Sequence, residues 1–274
     1  MQSQTIHGRY TIDGVGRLYE VDEGLRLPSV STVLSMQETP EALKRWKERQ
    51  TNYEEVLSYA QNRGTLVHAE CQLDVVPHNP KTGEPIKQLW GEDEEQSVEE
   101  LKENGEWERF QSELEWVYGT WEIIKSVLNL PPTPEDQEDD SYNTVLDVET
   151  YVANKNIGYA GQFDLLYHDK ERNETVLADL KTSKDVYEKH QLQLAAYRMA
   201  VPISIDRMEV IRMNPDRKDW FISSSHTWET PIEDLEDEFI QLRTKLEEEK
   251  LKTIIQTMDE TDMDDEGIMY ETMG

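Results

Sequence analysis

Asp164 interrupts the apolar run GQFDLLY, and Asp179 interrupts a second run, VLADLK, which ends on Lys181; the polar turn HDKERNE separates the two. Read as a hairpin, the runs pair about that turn and bring Asp164 opposite Asp179. Strand period two puts Asp179 and Lys181 on one face, so two carboxylates and an ammonium converge on a single spot. Two carboxylates side by side on half-buried strands repel, and a bound cation is the usual compensation. Hard oxygen donors of this kind suit Mg²⁺ or Mn²⁺, and such an ion beside a lysine is equipped to hydrolyse a phosphodiester.

Three further groups lie where they could join that spot. His68 sits in RGTLVHAE, on a helix expected over residues 53 to 75, among Leu66, Val67, Ala69 and Cys71. A lone histidine in such company is more often a core residue than a ligand; the downstream aspartates reverse that balance. A helix from about Val186 aligns Lys189, Gln193 and Tyr197 at i, i+4 and i+8, while Leu192, Ala195, Ala196 and Met199 form its packing stripe. Glu149 lies on the strand VLDVETYVAN, as a surface residue or as a further acid of the site.

Asp164, Asp179-Leu180-Lys181 and Gln193-Leu-Ala-Ala-Tyr197, with His68 upstream, resemble the PD-(D/E)xK nuclease superfamily and, within it, the RecB-like branch. The segment LPSVSTVLS, residues 27 to 35, is similar to the corresponding segment of phage and mitochondrial single-strand exonucleases of that group. The resemblance covers roughly residues 25 to 215, with a gap between about 75 and 144. It implies an α/β fold: a restriction-endonuclease-like core, with a central mixed sheet flanked by helices, plus helical N-terminal and inserted segments. It further implies that Asp164, Asp179 and the main-chain carbonyl of Leu180 hold a catalytic Mg²⁺ or Mn²⁺. His68 would add an imidazole that shifts preference toward Mn²⁺. Lys181 would place the attacking water or stabilise the phosphate, Gln193 and Tyr197 would orient Lys181 or a substrate phosphate, and Glu149 would orient the site or bind a second ion. The resemblance makes DNA the expected partner, as single strands or free ends.

Composition bounds these readings. The chain of 274 residues is long enough for one large α/β domain. Cys71 is the only cysteine, so an iron-sulfur clamp of four thiolates is excluded, and no G-x-x-x-x-G-K-[ST] provides for ATP. No run of 18 apolar residues and no signal-like start occurs, so a cytoplasmic protein with no membrane contact is expected. The net charge of −30 argues against nucleic-acid binding, but residues 152 to 228 carry 11 basic and 11 acidic side chains. The excess lies in residues 67 to 151, with 5 basic and 22 acidic, and in residues 229 to 274, with 4 and 16. Such acidity suits molar salt, as in a halophilic archaeon or its virus, because screening then acts within about 3 Å; the 15 Lys against 13 Arg run the other way.

The expected organisation is a single nuclease domain over 1–258, followed by an acidic, mobile tail at 259–274. Residues 1–52 hold a hairpin and a basic helix, 76–141 an acidic helical insert and 142–228 the catalytic core. The basic helix after Pro40 carries Lys44, Arg45, Lys47 and Arg49, which with Trp46 could follow a nucleic-acid backbone or form a solvated face. Arg63, Thr182, Ser183, Lys184 and Lys189 complete the candidate phosphate contacts. Exonuclease action on single strands or ends in replication, recombination or repair is the favoured reading. A structure-specific endonuclease and a non-catalytic acidic DNA mimic or partner-binding protein are the rivals.

Overall fold

The computed structural model describes residues 6–76, 90–134, 136 and 139–251. The expected acidic tail at 259–274 lies outside the described residues. Five strands make the central sheet in chain order: β4 (Thr144–Asn154), β5 (Tyr159–Asp169), β6 (Glu174–Lys181), β7 (Arg207–Asn214) and β8 (Asp219–Ser224). Antiparallel pairing joins β4 to β5, β5 to β6 and β7 to β8, whereas β6 and β7 run parallel. The helix α6 (Glu188–Ala200) makes the crossover that a parallel pair requires. The sheet is therefore mixed and flanked by helices, as a restriction-endonuclease-like α/β fold demands.

Helices cover both faces, and this explains why β5 and β7 are buried almost throughout. One core collects Val152, Tyr159, Phe163, Leu166, Leu177 and Val210 under α1 (Val30–Leu34), α6 and α7 (Ile232–Leu246). The other collects Val148, Leu165, Tyr167, Val176, Ala178 and Leu180 under α3 (Tyr53–Leu73) and α5 (Trp107–Val127). The acidic insert supplies α4 (Glu92–Glu103) and α5, whose Phe110, Val117, Trp121 and Ile124 enter that second core at helical spacing. Leu192, Ala195 and Ala196 bury the packing side of α6. Gly161 lets this helix approach: a Cβ there would stand 2.6 Å from the Tyr197 ring and 2.9 Å from Val30.

The N-terminal hairpin gains a strand that the sequence reading lacked. Strands β1 (Gly8–Ile12), β2 (Gly16–Asp22) and β3 (Leu25–Pro28) form a separate antiparallel sheet. Residue Ser29 then caps α1, its hydroxyl accepting from Thr32 N–H at 3.0 Å. α2 (Glu41–Arg49) begins after Pro40, as expected. His168, expected in the turn after β5, is on the strand itself, paired with Thr144 and Thr175. No helix among the described residues is long and apolar enough to cross a membrane.

Candidate active site

The β5–β6 register runs from Asp169 opposite Glu174 to Leu165 opposite Ala178, and the next step would set Asp164 against Asp179. The ladder stops there, and Leu180 N–H donates instead to Asp164 Oδ2 at 2.7 Å. The same point disturbs β4. Glu149 has a φ of 42°, the left-handed region, between Val148 and Thr150, which pair with Leu165 and Phe163. Val148 packs in the core under α3 and Val152 in the core under α6, although both have the same parity along the strand; Phe163 and Leu165 differ likewise. Both strands thus roll between faces at Glu149 and Asp164. The roll turns their carboxylates toward each other.

α3 brings His68 over this break. Ligand atoms of His68, Glu149 and Asp164 lie within 4.8 Å of one another, and His68 Nδ1 is 3.3 Å from Asp164 Oδ2. Lys181 Nζ reaches Asp179 Oδ2 at 2.6 Å. Asp179 is fully buried, and its Oδ1 has no partner among the described residues. A buried carboxylate oxygen left unpaired costs free energy unless something else binds it.

The electrostatics follow from three acids facing few cations. Burial, then the Asp164 charge, pushes the Glu149 carboxyl up to about 8. Asp179 is raised to about 6 by burial, against the pull of Lys181 and with a push from Asp164. Asp164 goes the other way: His68, Lys181 and the Leu180 N–H outweigh its burial and hold it below the usual carboxylate range. Burial works against a charged His68, yet Asp164 and Glu149 raise its pKa; Lys181 is raised past its own burial by Asp179, Asp164 and Glu149. Excess negative charge, hard oxygens, one imidazole and an orphaned buried oxygen fit a divalent cation.

Gln72 went unnoticed in the sequence. One turn beyond His68 on α3, it is buried, and its Nε2 donates to the Asp164 carbonyl at 3.2 Å. Its Oε1 is unpartnered among the described residues, and its amide draws the Glu149 carboxyl down against burial. The signal was its i+4 spacing from a suspected ligand.

The other candidates separate by place. Gln193 Nε2 donates to Tyr197 Oη at 3.0 Å; burial, then Asp179, raises the Tyr197 phenol. Arg63 does not present a guanidinium to solvent. It is buried, and it ties α3 to the Thr182 carbonyl (3.0 Å), Glu113 (3.1 Å) and Asp216 (3.3 Å). Thr182 is buried too, Ser183 Oγ donates to the Asp185 carbonyl at 2.7 Å, and Lys184 and Lys189 are exposed. On α2, Lys44 pairs with Glu41 at 2.8 Å, Arg49 Nε donates to the Arg45 carbonyl at 2.9 Å, and Lys47 lies over the Tyr53 ring. Trp46 is half-buried and meets the same ring edge-on.

Comparison with known proteins adds three findings. No curated protein matches the chain. Among solved structures, one titled "Crystal structure of SSO0001" is similar at 15% identity and a TM-score of 0.30, over 57% of this chain and 69% of that one. At that score the likeness adds nothing to the assignment. The family model for the PD-(D/E)XK nuclease superfamily matches residues 38–265, a span that takes in His68, every strand of the mixed sheet and the Asp179-Leu180-Lys181 run. On the strength of that match, the chain belongs to the PD-(D/E)XK nuclease superfamily, whose members are metal-dependent nucleases.

Proposed function

We propose that this nuclease acts on DNA as an exonuclease of the RecB-like kind, preferring single strands or free ends, with residues 1–258 as one nuclease domain. The observation that carries the catalytic reading is the Glu149–Asp164–His68 grouping; Asp179 stands outside it, buried, with one oxygen on the Lys181 ammonium and the other orphaned among the described residues. Asp164, Glu149 and His68 would hold one divalent ion, with Asp179 and the Leu180 carbonyl completing its shell; Mg²⁺ and Mn²⁺ both suit this donor set. Bound there, the ion supplies Lewis acidity and lowers the pKa of water. Lys181 would meet a phosphoryl oxygen with its ammonium or hold an attacking water in place. The Gln193–Tyr197 pair, held together on α6, would orient Lys181 or a substrate phosphate. The preference for ends rests on the RecB-like motif order and the 27–35 segment.

The test is cleavage of end-labelled single- and double-stranded DNA in Mg²⁺ or Mn²⁺ across a salt series, beside Asp179→Ala and Lys181→Ala. Wild type is expected to cut and both variants to lose at least about 10²-fold in rate, the scale of one preorganised electrostatic group. Equal cutting by wild type and variants overturns the catalytic reading. A closed single-stranded circle should resist; if it is cut, the enzyme is an endonuclease.

A further inference from the structure

The corner of the molecule reached from Lys181 differs from the rest of the acidic chain. Lys181 lies beside Arg212 in the β6–β7 register, and Arg212 lies opposite Phe221 in the β7–β8 register, so the three share a row across the sheet. Trp220 and Ile222 pack into the core under α3, which leaves Phe221 on the α6 face, 53% exposed at the sheet's last strand. Two strand spacings separate it from Lys181, roughly 10 Å. Arg212 ties the row to the loop before α6 by donating to the Lys184 carbonyl at 3.0 Å. That loop ends on Tyr187, 48% exposed, whose ring meets His190 edge-on at 5.4 Å. His190 accepts from Tyr187 N–H at 3.2 Å, and burial, then the Lys181 and Lys189 charges, hold its pKa down to about 3.

Charge sets this corner apart as well. Among the described residues, the exposed Lys184, Lys189 and Lys218 have no carboxylate partner; of the nearby acids, Asp216 and Asp219 are taken up by Arg63, Arg109 and Arg212 and Asp185 faces Arg217 at 3.8 Å, while Glu188 stays exposed beside Lys189. Uncommitted ammonium groups beside two exposed rings, in a chain of net charge −30, fit a ligand with phosphates and flat faces. We infer that this corner is the track for a single DNA strand next to the scissile phosphate, with bases stacked on Tyr187 and Phe221 and phosphates on Lys184, Lys189 and Lys218. A duplex keeps its bases paired and cannot use the two rings, so the track favours unpaired substrate. The inference rests on the nuclease reading of Lys181 but is tested apart from it.

Binding of fluorescein-labelled oligo(dT) is measured by anisotropy on Asp179→Asn protein, which removes cleavage from the comparison. Adding Tyr187→Ala and Phe221→Ala should weaken oligo(dT) binding about tenfold or more, within the range for lost stacked bases. A blunt duplex should be affected little. Tyr187→Phe with Phe221→Trp should restore affinity, which separates stacking from misfolding. An oligonucleotide made abasic along the track should bind all of these proteins alike. Lys184→Gln, Lys189→Gln and Lys218→Gln together should flatten the log–log salt slope by about 2. Unchanged oligo(dT) affinity, or an equal loss on duplex, overturns the track. Cleavage by Asp179→Asn at the wild-type rate would instead overturn the catalytic assignment and leave the binding result to stand alone.

Discussion

Strands β5 and β6 each carry a second acid five residues from the candidate site: Asp169 beyond Asp164, and Glu174 before Asp179. The separation is about 17 Å at ~3.4 Å per residue. At that far end Arg207, buried on β7, reaches Asp169 at 2.6 Å, Glu174 at 3.2 Å and Glu209 at 3.3 Å, and Tyr167 Oη donates to Glu209 at 2.8 Å. Burial still raises Glu209, but the Arg172 backbone N–H and Arg207 hold Asp169 below its ordinary value despite its burial. At the near end one lysine and one histidine face Glu149, Asp164 and Asp179, and an Asp179 oxygen stays unpartnered among the described residues. One end brings its own fork-shaped cation, and the other leaves charge to be supplied. That difference marks which acidic cluster is structural.

Exchanging a charge at each end should therefore give opposite results. Asp179→Asn should lower cleavage by about 10²-fold or more, as for other preorganised charges, while leaving metal-free stability unchanged or raised. Arg207→Met strands three carboxylates and should cost about 3–5 kcal/mol in unfolding, with the rate per folded molecule kept. Urea unfolding and active-site-normalised rates measure both. If Arg207→Met proves harmless to folding while Asp179→Asn unfolds the protein, the two ends have been assigned the wrong way round.

The next effect is smaller and acts through Gln72. Gln72→Leu keeps the volume but removes the bond to the Asp164 carbonyl and the amide's pull on the Glu149 carboxyl. Partners of this kind are worth about 10- to 100-fold in metal affinity. A Mn²⁺ titration followed by calorimetry should show that loss with the fold intact. An unchanged affinity would reduce Gln72 to a core amide.

The sequence made the hairpin and its register legible because symmetric apolar runs about a polar turn allow one good pairing, and that pairing puts Asp164 at the level of Asp179. His68 was legible as a helical position aimed at the same spot. Glu149 was visible only as an acid on a strand, since its turn into the site depends on a left-handed backbone that no propensity announces. Arg63 looked like a phosphate contact because basicity shows in a sequence and burial does not; its ties to Thr182, Glu113 and Asp216 come from three distant segments. Arg207 escaped notice for the same reason, as its three partners lie on separate strands.

The mildest test of the comparison varies only pH. Glu149 at about 8 and Asp179 at about 6 both stand above the values these carboxyls have when unfolded. Between the two values the folded protein binds more protons than the unfolded one, so stability must fall as pH rises through that window. Metal-free protein should therefore lose melting temperature from about pH 5 to pH 8. A divalent ion replaces the missing protons, so Mg²⁺ or Mn²⁺ should raise the melting temperature more at pH 8 than at pH 5. Asp169 has the opposite sign, its stabilisation being present above the unfolded value and lost only as pH falls toward the folded one; the Arg207 end should add nothing to the slope above pH 5 beyond Glu209. Glu149→Gln should flatten the metal-free profile between pH 5 and 8, and Asp169→Asn should not. Equal profiles for those two variants would mean that the two ends share one electrostatic character, and the contrast drawn from Arg207 would fail.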